Sequence, residues 1–357
     1  MLYAYSVIPY FITFLRLFFG YLEIKRNYSI TEQYYSKMAD RYKHSFLPIQ
    51  HHDLIKFYEE QRDNHWVAAD ILFGVEDRDH WKQLNNDTRT FIEFILSFFA
   101  QFDGIVNDNI DDNFCQDTSD LKEAKFFYAA QKMIEVIHNE TYSRLIENFI
   151  SDEKKQLECL DGIGTHESIR NMAKWIEGWM DRSKPLPERI IAFVCLEGII
   201  FSSAFAAIYW IKKQNILPAL TKANEFIARD EGIHTRFGIA LYKKYIELGR
   251  FKALPVERIH QILRSACEVN EVFIRDALKI ERIDMNPDDM ILYIKSVTDG
   301  ISNMLCDTRI YNLENPFADW MITIGLDNQS SFFETKVSEY SQPTTDTEDF
   351  NLNYDDM

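Results

Sequence analysis

Two copies of one side-chain pattern, set in apolar helical segments, constrain this chain more than any other feature. In IEVIHNETYSRL, Glu135 and His138 are three residues apart, and FIARDEGIHTRF repeats that spacing with Glu231 and His234. Residues three or four apart share one face of a helix. Large apolar neighbours surround both pairs, so the sequence predicts that these polar faces are buried.

A lone carboxylate precedes each pair in a separate apolar segment. Asp103 lies 32 residues before Glu135, and Glu197 lies 34 residues before Glu231. Buried carboxylates are costly without partners, and four together repel one another unless cations lie between them. The repeat therefore predicts a four-helix bundle that binds two metal ions, and oxygen and imidazole donors suit iron or manganese. The predicted ligands are Asp103, Glu135, His138, Glu197, Glu231 and His234.

Apolar residues recur at helical spacing through most of the chain, and strand-like alternation is scarce. With 12 glycines and 9 prolines in 357 residues, turn signals are few. We therefore predict an all-α fold. Its helices are expected at about 49–63, 88–113, 121–150, 165–181, 187–214, 217–247, 255–280 and 286–313.

Charge and cysteine usage narrow the class of protein. The formal net charge is −17, and such a surface repels phosphate backbones, which argues against a nucleic-acid partner. Five cysteines are scattered without a C-x-x-C motif, a pattern typical of free thiols in a reducing compartment. We expect a cytoplasmic protein.

The two ends of the chain differ in character from the rest. Residues 1–22 are largely apolar, and three interpretations stay open: a membrane-associated anchor, an extra helix packed on the body or a partner, or translation that truly begins at Met38. Residues 341–357 carry acidic side chains and no basic ones, which suits either a solvated tail or a tail that orders on a partner. We divide the chain into an N-terminal extension of unknown role (1–37), a helical domain (38–340) and a flexible acidic tail.

The segments around these residues resemble the small, radical-generating subunit of class I ribonucleotide reductase, most closely in its eukaryotic and large-virus branch. FFAQFDGIVNDN, EVIHNETY, EGIIFSSAF and RDEGIH carry the resemblance in order and spacing, from FLPIQHHDLIKFY near Phe46 through FFETKVSEYSQ at 332–342. The resemblance implies a ferritin-like helical bundle with a dimetal carboxylate site in its core. It also implies a dimer of small subunits that docks on a large catalytic subunit. The expected cofactor is two iron ions, with an iron–manganese pair as the alternative.

The resemblance assigns a radical site as well. Tyr142 matches the tyrosine that the reduced dimetal site and O2 oxidise to a stable radical. Its position one helical turn after His138 agrees with that role. Phe201, Phe205 and Ile227 match the apolar pocket that shields the radical.

A relay to the large subunit is implied in the same way. Trp66 matches the family's buried relay tryptophan, and Asp230 matches the carboxylate that ties it to a metal-ligating histidine. Tyr340 matches the mobile tyrosine that carries the relay to the subunit boundary. In the acidic tail, Phe350 and Leu352 fit as anchors on the large subunit.

Three functions of this chain can be weighed against the residues present. We expect the small subunit of ribonucleoside-diphosphate reductase, whose tyrosyl radical passes to the large subunit for reduction of ribonucleotides to deoxyribonucleotides. A ferritin-like dimetal oxidase would need neither the Trp66–Asp230–Tyr340 set nor the tail. A non-catalytic partner subunit usually lacks metal ligands, and all six are present here.

Overall fold

The computed structural model describes residues 41–42, 44–279 and 285–319. The predictions for the N-terminal extension, for Tyr340 and for the tail anchors Phe350 and Leu352 lie outside the described residues. Within the described ranges the chain is helical, with no strand, which confirms the all-α prediction.

The helices follow the predicted positions closely. They are α1 (His52–Asp63), α2 (Val75–Gln83), α3 (Asn86–Asn109), α4 (Lys122–Phe149), α5 (Glu153–Leu160), α6 (Gly162–Thr165), α7 (Glu167–Met180), α8 (Leu186–Lys213), α9 (Pro218–Glu247), α10 (Val256–Ala277) and α11 (Pro287–Cys306). A π turn (Ile110–Phe114) and a short helical turn (Cys115–Asp117) extend α3. The short helices α2, α5 and α6 were not predicted, because segments of four to nine residues carry little periodicity.

The last helix is shorter than the sequence predicted. It ends at Cys306 rather than at 313 because Asp307 adopts a left-handed backbone conformation, with φ 54°. The Asp299 carboxylate then accepts hydrogen bonds from three backbone N–H groups between residues 310 and 313. These bonds hold the chain in a loop where the apolar pattern alone would continue the helix.

Four long helices form the centre of the fold. Helix α3 packs on α4, α8 packs on α9, and α4 also contacts α9. Helix α1 packs across α4 and α9, while α10 packs on α8 and is followed by α11. Each central pair therefore contributes a lone carboxylate from its first helix and a Glu-x-x-His pair from its second, as the internal repeat predicted.

Helix α8 is the most apolar of the described segments. Leu186–Lys213 is the one helix in the described ranges long and apolar enough to cross a membrane, and its apolar window is wholly buried inside the fold. Packing against α9 and α10 accounts for that apolar surface.

A π turn interrupts α8 at Leu196–Ile200, and Glu197 lies within it. Such turns insert an extra residue and are frequent at functional sites. Gly198 allows close packing here, because a Cβ atom would lie 2.6 Å from Ile301 Cδ1 and 2.8 Å from Thr235 Cγ2.

We expect Gly198→Ala to lower the free energy of unfolding by about 1 to 3 kcal/mol, since the added methyl group overpacks the contact with Thr235. Gly178→Ala, at an exposed position of α7, is the matched control, because a Cβ there meets nothing within 4 Å. That control should be neutral or stabilising by up to about 1 kcal/mol. Urea denaturation measures both, and equal stabilities for the two variants would contradict the packing argument.

Candidate metal centre

The six side chains predicted as ligands converge in the four-helix core. Their candidate ligand atoms form two groups, each with all atoms within 4.8 Å of one another, and all six residues are buried. The first group is Asp103, Glu135, His138 and Glu231, and the second is Glu135, Glu197, Glu231 and His234. Glu135 and Glu231 belong to both groups.

The two shared glutamates each approach both histidines with separate oxygens. His138 Nδ1 lies 3.2 Å from Glu135 Oε2 and 3.2 Å from Glu231 Oε1. His234 Nδ1 lies 3.1 Å from Glu135 Oε1 and 3.0 Å from Glu231 Oε2. Glu135 and Glu231, together with His138 and His234, would hold the two metal ions of such a site.

The hydrogen bonding of the cluster is incomplete without cations. Each Nδ1 can donate one hydrogen, yet each faces two carboxylate oxygens. Among the described residues, Asp103 Oδ2 and Glu197 Oε2 are buried without a hydrogen-bond partner. Two divalent ions would balance four carboxylates and satisfy these oxygens, so the donor set fits a dimetal site.

Burial and mutual charge shift the proton affinities of the metal-free cluster. Burial, and next the charge of Glu135, raise the pKa of Asp103; burial, and next Glu231, raise that of Glu197. Burial opposes the shift at His234, but Glu231 and Glu135 raise its pKa to about 9. Burial likewise opposes the shift at Glu231, whose pKa is lowered chiefly by His234. Metal ions that bind such a cluster would displace protons from its ligands.

Gln131 is a polar contact that the sequence analysis missed. Its Nε2 donates to Glu197 Oε1 at 3.0 Å and approaches Glu135 Oε1 at 3.3 Å. It lies four residues before Glu135 on α4, so the spacing rule that found the histidines could have found it as well.

Tyr142, one turn beyond His138, packs on an aromatic cluster of the core. Its ring stacks on Phe99, with centroids 4.5 Å apart and planes 3° apart. Phe99 also contacts Phe205 at 5.1 Å and Phe201 at 5.9 Å. Phe99 was missed, although it lies one turn before a predicted ligand on α3, where the same face continues.

The phenol of Tyr142 is isolated from hydrogen-bonding groups. It is 1% exposed, and its hydroxyl has no hydrogen-bond partner among the described residues. Burial, and next the charge of Asp103, raise its pKa well above the ordinary value, so the hydroxyl keeps its proton. Ile227 is buried in the same core.

A second polar connection leads from the cluster towards the surface. Asp230 Oδ2 accepts a hydrogen bond from Trp66 Nε1 at 2.7 Å and lies 3.2 Å from His138 Nε2. Its other oxygen accepts from Gln61 Nε2 at 3.1 Å. Trp66 also stacks against His138, with ring centroids 5.9 Å apart. Trp66 is buried, and its chain neighbour Val67 is exposed.

This connection orients the imidazole. With Nε2 bonded to Asp230, His138 presents Nδ1 to the carboxylate cluster. A metal-binding histidine typically uses one ring nitrogen for the metal and the other for a hydrogen bond to a carboxylate. The structure therefore brings Trp66 and Asp230 into contact with one of the predicted ligands.

The chain was compared with known proteins. Residues 43–316 match the family model described as "Ribonucleotide reductase, small chain". A ribonucleoside-diphosphate reductase small chain from Plasmodium falciparum (isolate Dd2) is 37% identical over 320 residues, which is 90% of this chain and 89% of the relative. Its counterpart from Nicotiana tabacum is 38% identical over 296 residues, 83% of this chain and 88% of the relative.

A solved structure resembles the fold. The ribonucleotide reductase Rnr4 homodimer from Saccharomyces cerevisiae superposes with a TM-score of 0.65 at 26% identity, covering 80% of this chain and 89% of that one. The residues matched by the family model include α3, α4, α8 and α9, the four helices that carry the cluster.

Replacing Asp230 tests the connection. Asp230→Leu removes the acceptor shared by Trp66 and Gln61 and leaves His138 Nε2 unpaired. We expect the metal-free protein to lose about 3 to 5 kcal/mol of unfolding free energy, because buried polar partners are left unsatisfied. Asp230→Asn keeps the shape and one acceptor oxygen, so its loss should be smaller. Chemical denaturation measures both, and a leucine variant as stable as wild type would contradict the assignment.

Proposed function

This chain belongs to the family of ribonucleotide reductase small chains, and on that premise we propose that its bundle core binds two metal ions and that Tyr142 is oxidised to a radical. The radical is used by a large catalytic subunit to reduce ribonucleoside diphosphates to deoxyribonucleotides. The observation that carries the proposal is the placing of Glu135 and Glu231, each with one oxygen at each histidine.

All six predicted ligands take part in binding the metal pair. Bound in the reduced state, the two ions would supply the redox chemistry with O2 that makes oxidation of a phenol feasible. We assign iron to both positions. The donor set also suits a mixed iron–manganese pair, because ligand type does not separate the two metals.

The protein's own contribution at Tyr142 is protection. Phe99, Phe201 and Phe205 enclose the ring, and Ile227 closes the pocket in the same core. Support comes from the close stacking on Phe99 and the burial of all these side chains. An oxidised phenol in such an enclosure is kept from water and from external reductants.

Trp66 and Asp230 form the inner part of the relay to the large subunit. The 2.7 Å bond from Trp66 Nε1 supports this role, because Asp230 can hold the indole proton as the electron moves. Tyr340 continues the relay from outside the described residues. Phe350 and Leu352 anchor the tail on the large subunit, and the enzyme works in the cytoplasm.

The small subunit functions as a dimer. The similar Rnr4 structure is described as a homodimer. On α4, the apolar side chains of Met133 and Val136 are more than half exposed, which suits burial against a second subunit.

Two other functions are disfavoured. A self-contained dimetal oxidase does not pass an electron to another subunit, so it does not require Trp66 linked through Asp230 to the ligand His138. A non-catalytic partner subunit has no use for a complete ligand set, and the six residues are all present and clustered.

The first test is an electron paramagnetic resonance spectrum of the full chain, loaded anaerobically with Fe(II) and then exposed to O2. Wild type should give a narrow organic radical signal, and Tyr142→Phe should abolish it because the oxidisable hydroxyl is gone. Tyr128→Phe is the matched control, since Tyr128 is also buried on α4, and it should retain the signal.

Bound iron without a radical in wild type would argue against the iron assignment, and the experiment would then be repeated with added Mn(II). A radical that persists in Tyr142→Phe would contradict the assignment of Tyr142. Loss of the signal in the Tyr128 control would show that any buried phenol on α4 affects it.

The tail assignment is tested separately. Combined Phe350→Ala and Leu352→Ala substitutions should weaken binding to the large subunit at least about tenfold, because two apolar anchors are removed. The radical yield should be unchanged. Combined Asn351→Ala and Asn353→Ala substitutions are the matched control, expected to bind normally. Calorimetry measures the affinities, and equal weakening of both variants would contradict the choice of anchors.

A further inference from the structure

The π turn of α8 (Leu196–Ile200) is held by a side chain from another helix. Asn270, on α10, is fully buried, and its Nδ2 donates to the Ile199 carbonyl at 2.8 Å and approaches the Ile200 carbonyl at 3.4 Å. Its Oδ1 accepts a hydrogen bond from Ser203 Oγ at 2.8 Å. We call Asn270 together with Ser203 the Asn270 clamp.

The clamp adds a hydrogen-bond donor to a carbonyl of the π turn. A single π turn inside an α-helix leaves one carbonyl without its usual backbone partner, and an unpaired buried carbonyl costs about 1 to 3 kcal/mol. Asn270 supplies a donor to the Ile199 carbonyl from outside the helix. Within α8 itself, the Ser202 hydroxyl donates to the Gly198 carbonyl at 2.7 Å. Side chains as well as the backbone of α8 therefore bond to carbonyls of the π turn.

Glu197 depends on this turn for its direction. Its Oε1 accepts one hydrogen bond from Gln131, and its Oε2 has no hydrogen-bond partner among the described residues. If α8 lost the extra residue, side chains on one side of the turn would rotate by about 100° relative to the rest of the helix. Such a rotation would turn Glu197 away from the cluster.

We propose that the Asn270 clamp is a positioning device that keeps α8 in the π form and so holds Glu197 among the second group of ligands, Glu135, Glu197, Glu231 and His234. The first group contains no residue of α8 and does not depend on the clamp. The proposal rests on the proposed function, because it takes the second group as a metal site.

The test is Asn270→Leu in the full chain, which keeps the approximate volume and removes both hydrogen-bonding functions. Asn113→Leu is the matched control. Asn113 is also a buried amide in a π turn, Ile110–Phe114, where it donates to Met180 O at 3.0 Å and Asn109 Oδ1 at 2.9 Å. That turn carries none of the six ligands. A change in metal binding that arises only from lost stability should therefore appear in both variants.

Metal binding is measured by anaerobic titration with Mn(II), with the free ion followed by electron paramagnetic resonance. Wild type and Asn113→Leu should bind two ions per chain. Asn270→Leu should bind one ion with unchanged affinity and the second at least about tenfold more weakly, the effect expected of a residue that orients a ligand. Ser203→Ala, a milder change, should weaken the second ion to an intermediate degree.

Hydrogen exchange of the metal-free proteins gives an independent reading of the turn. Backbone amides of residues 196–205 should exchange at least about tenfold faster in Asn270→Leu than in Asn113→Leu. Two full-affinity ions in Asn270→Leu, or an equal loss in Asn113→Leu, would overturn the proposal.

The clamp and the proposed function fail in different ways. Wild type that binds no Mn(II) would overturn the proposed function and the metal part of the inference. Unchanged exchange in Asn270→Leu would overturn the clamp while leaving wild-type metal binding intact. If Asn270→Leu does not fold, Ser203→Ala decides through the same titration, and an unaltered second site there would overturn the clamp.

Discussion

The rest of the structure depends on the repulsion among four carboxylates buried in one helical core. Asp103, Glu135, Glu197 and Glu231 come from four different helices and are all buried. Placing them together is unfavourable unless positive charge joins them, either as protons on the cluster or as metal ions. The paired long helices and the aromatic packing around them hold these carboxylates together against their mutual repulsion.

Sequence reasoning found the core because its pattern is periodic. The two Glu-x-x-His pairs and their upstream acids repeat at matched offsets, and helical spacing converts such offsets directly into a shared face. Gln131 and Phe99 were within reach of the same rule. The all-α class followed from the scarcity of turn residues and of strand-like alternation.

What the sequence could not show is set by contacts between distant segments. Asn270 is 71 residues from the Ile199 carbonyl that it binds, and no local pattern marks the π turn that it holds. The end of α11 depends on the Asp299 carboxylate and the left-handed Asp307, which override an apolar pattern that continues. Such features arise from tertiary hydrogen bonds and not from propensity.

The burial of Tyr142 links the lifetime of the proposed radical to local opening of the helical bundle. The Tyr142 phenol has no hydrogen-bond partner among the described residues and stacks on Phe99, so the proposed radical would be stabilised by isolation more than by hydrogen bonding. The persistence of an oxidised state there would then follow how often α3 and α8 separate enough to admit a reductant. The decay rate of the proposed radical would then report how often the bundle opens locally. That frequency depends on packing at a distance from the metal site.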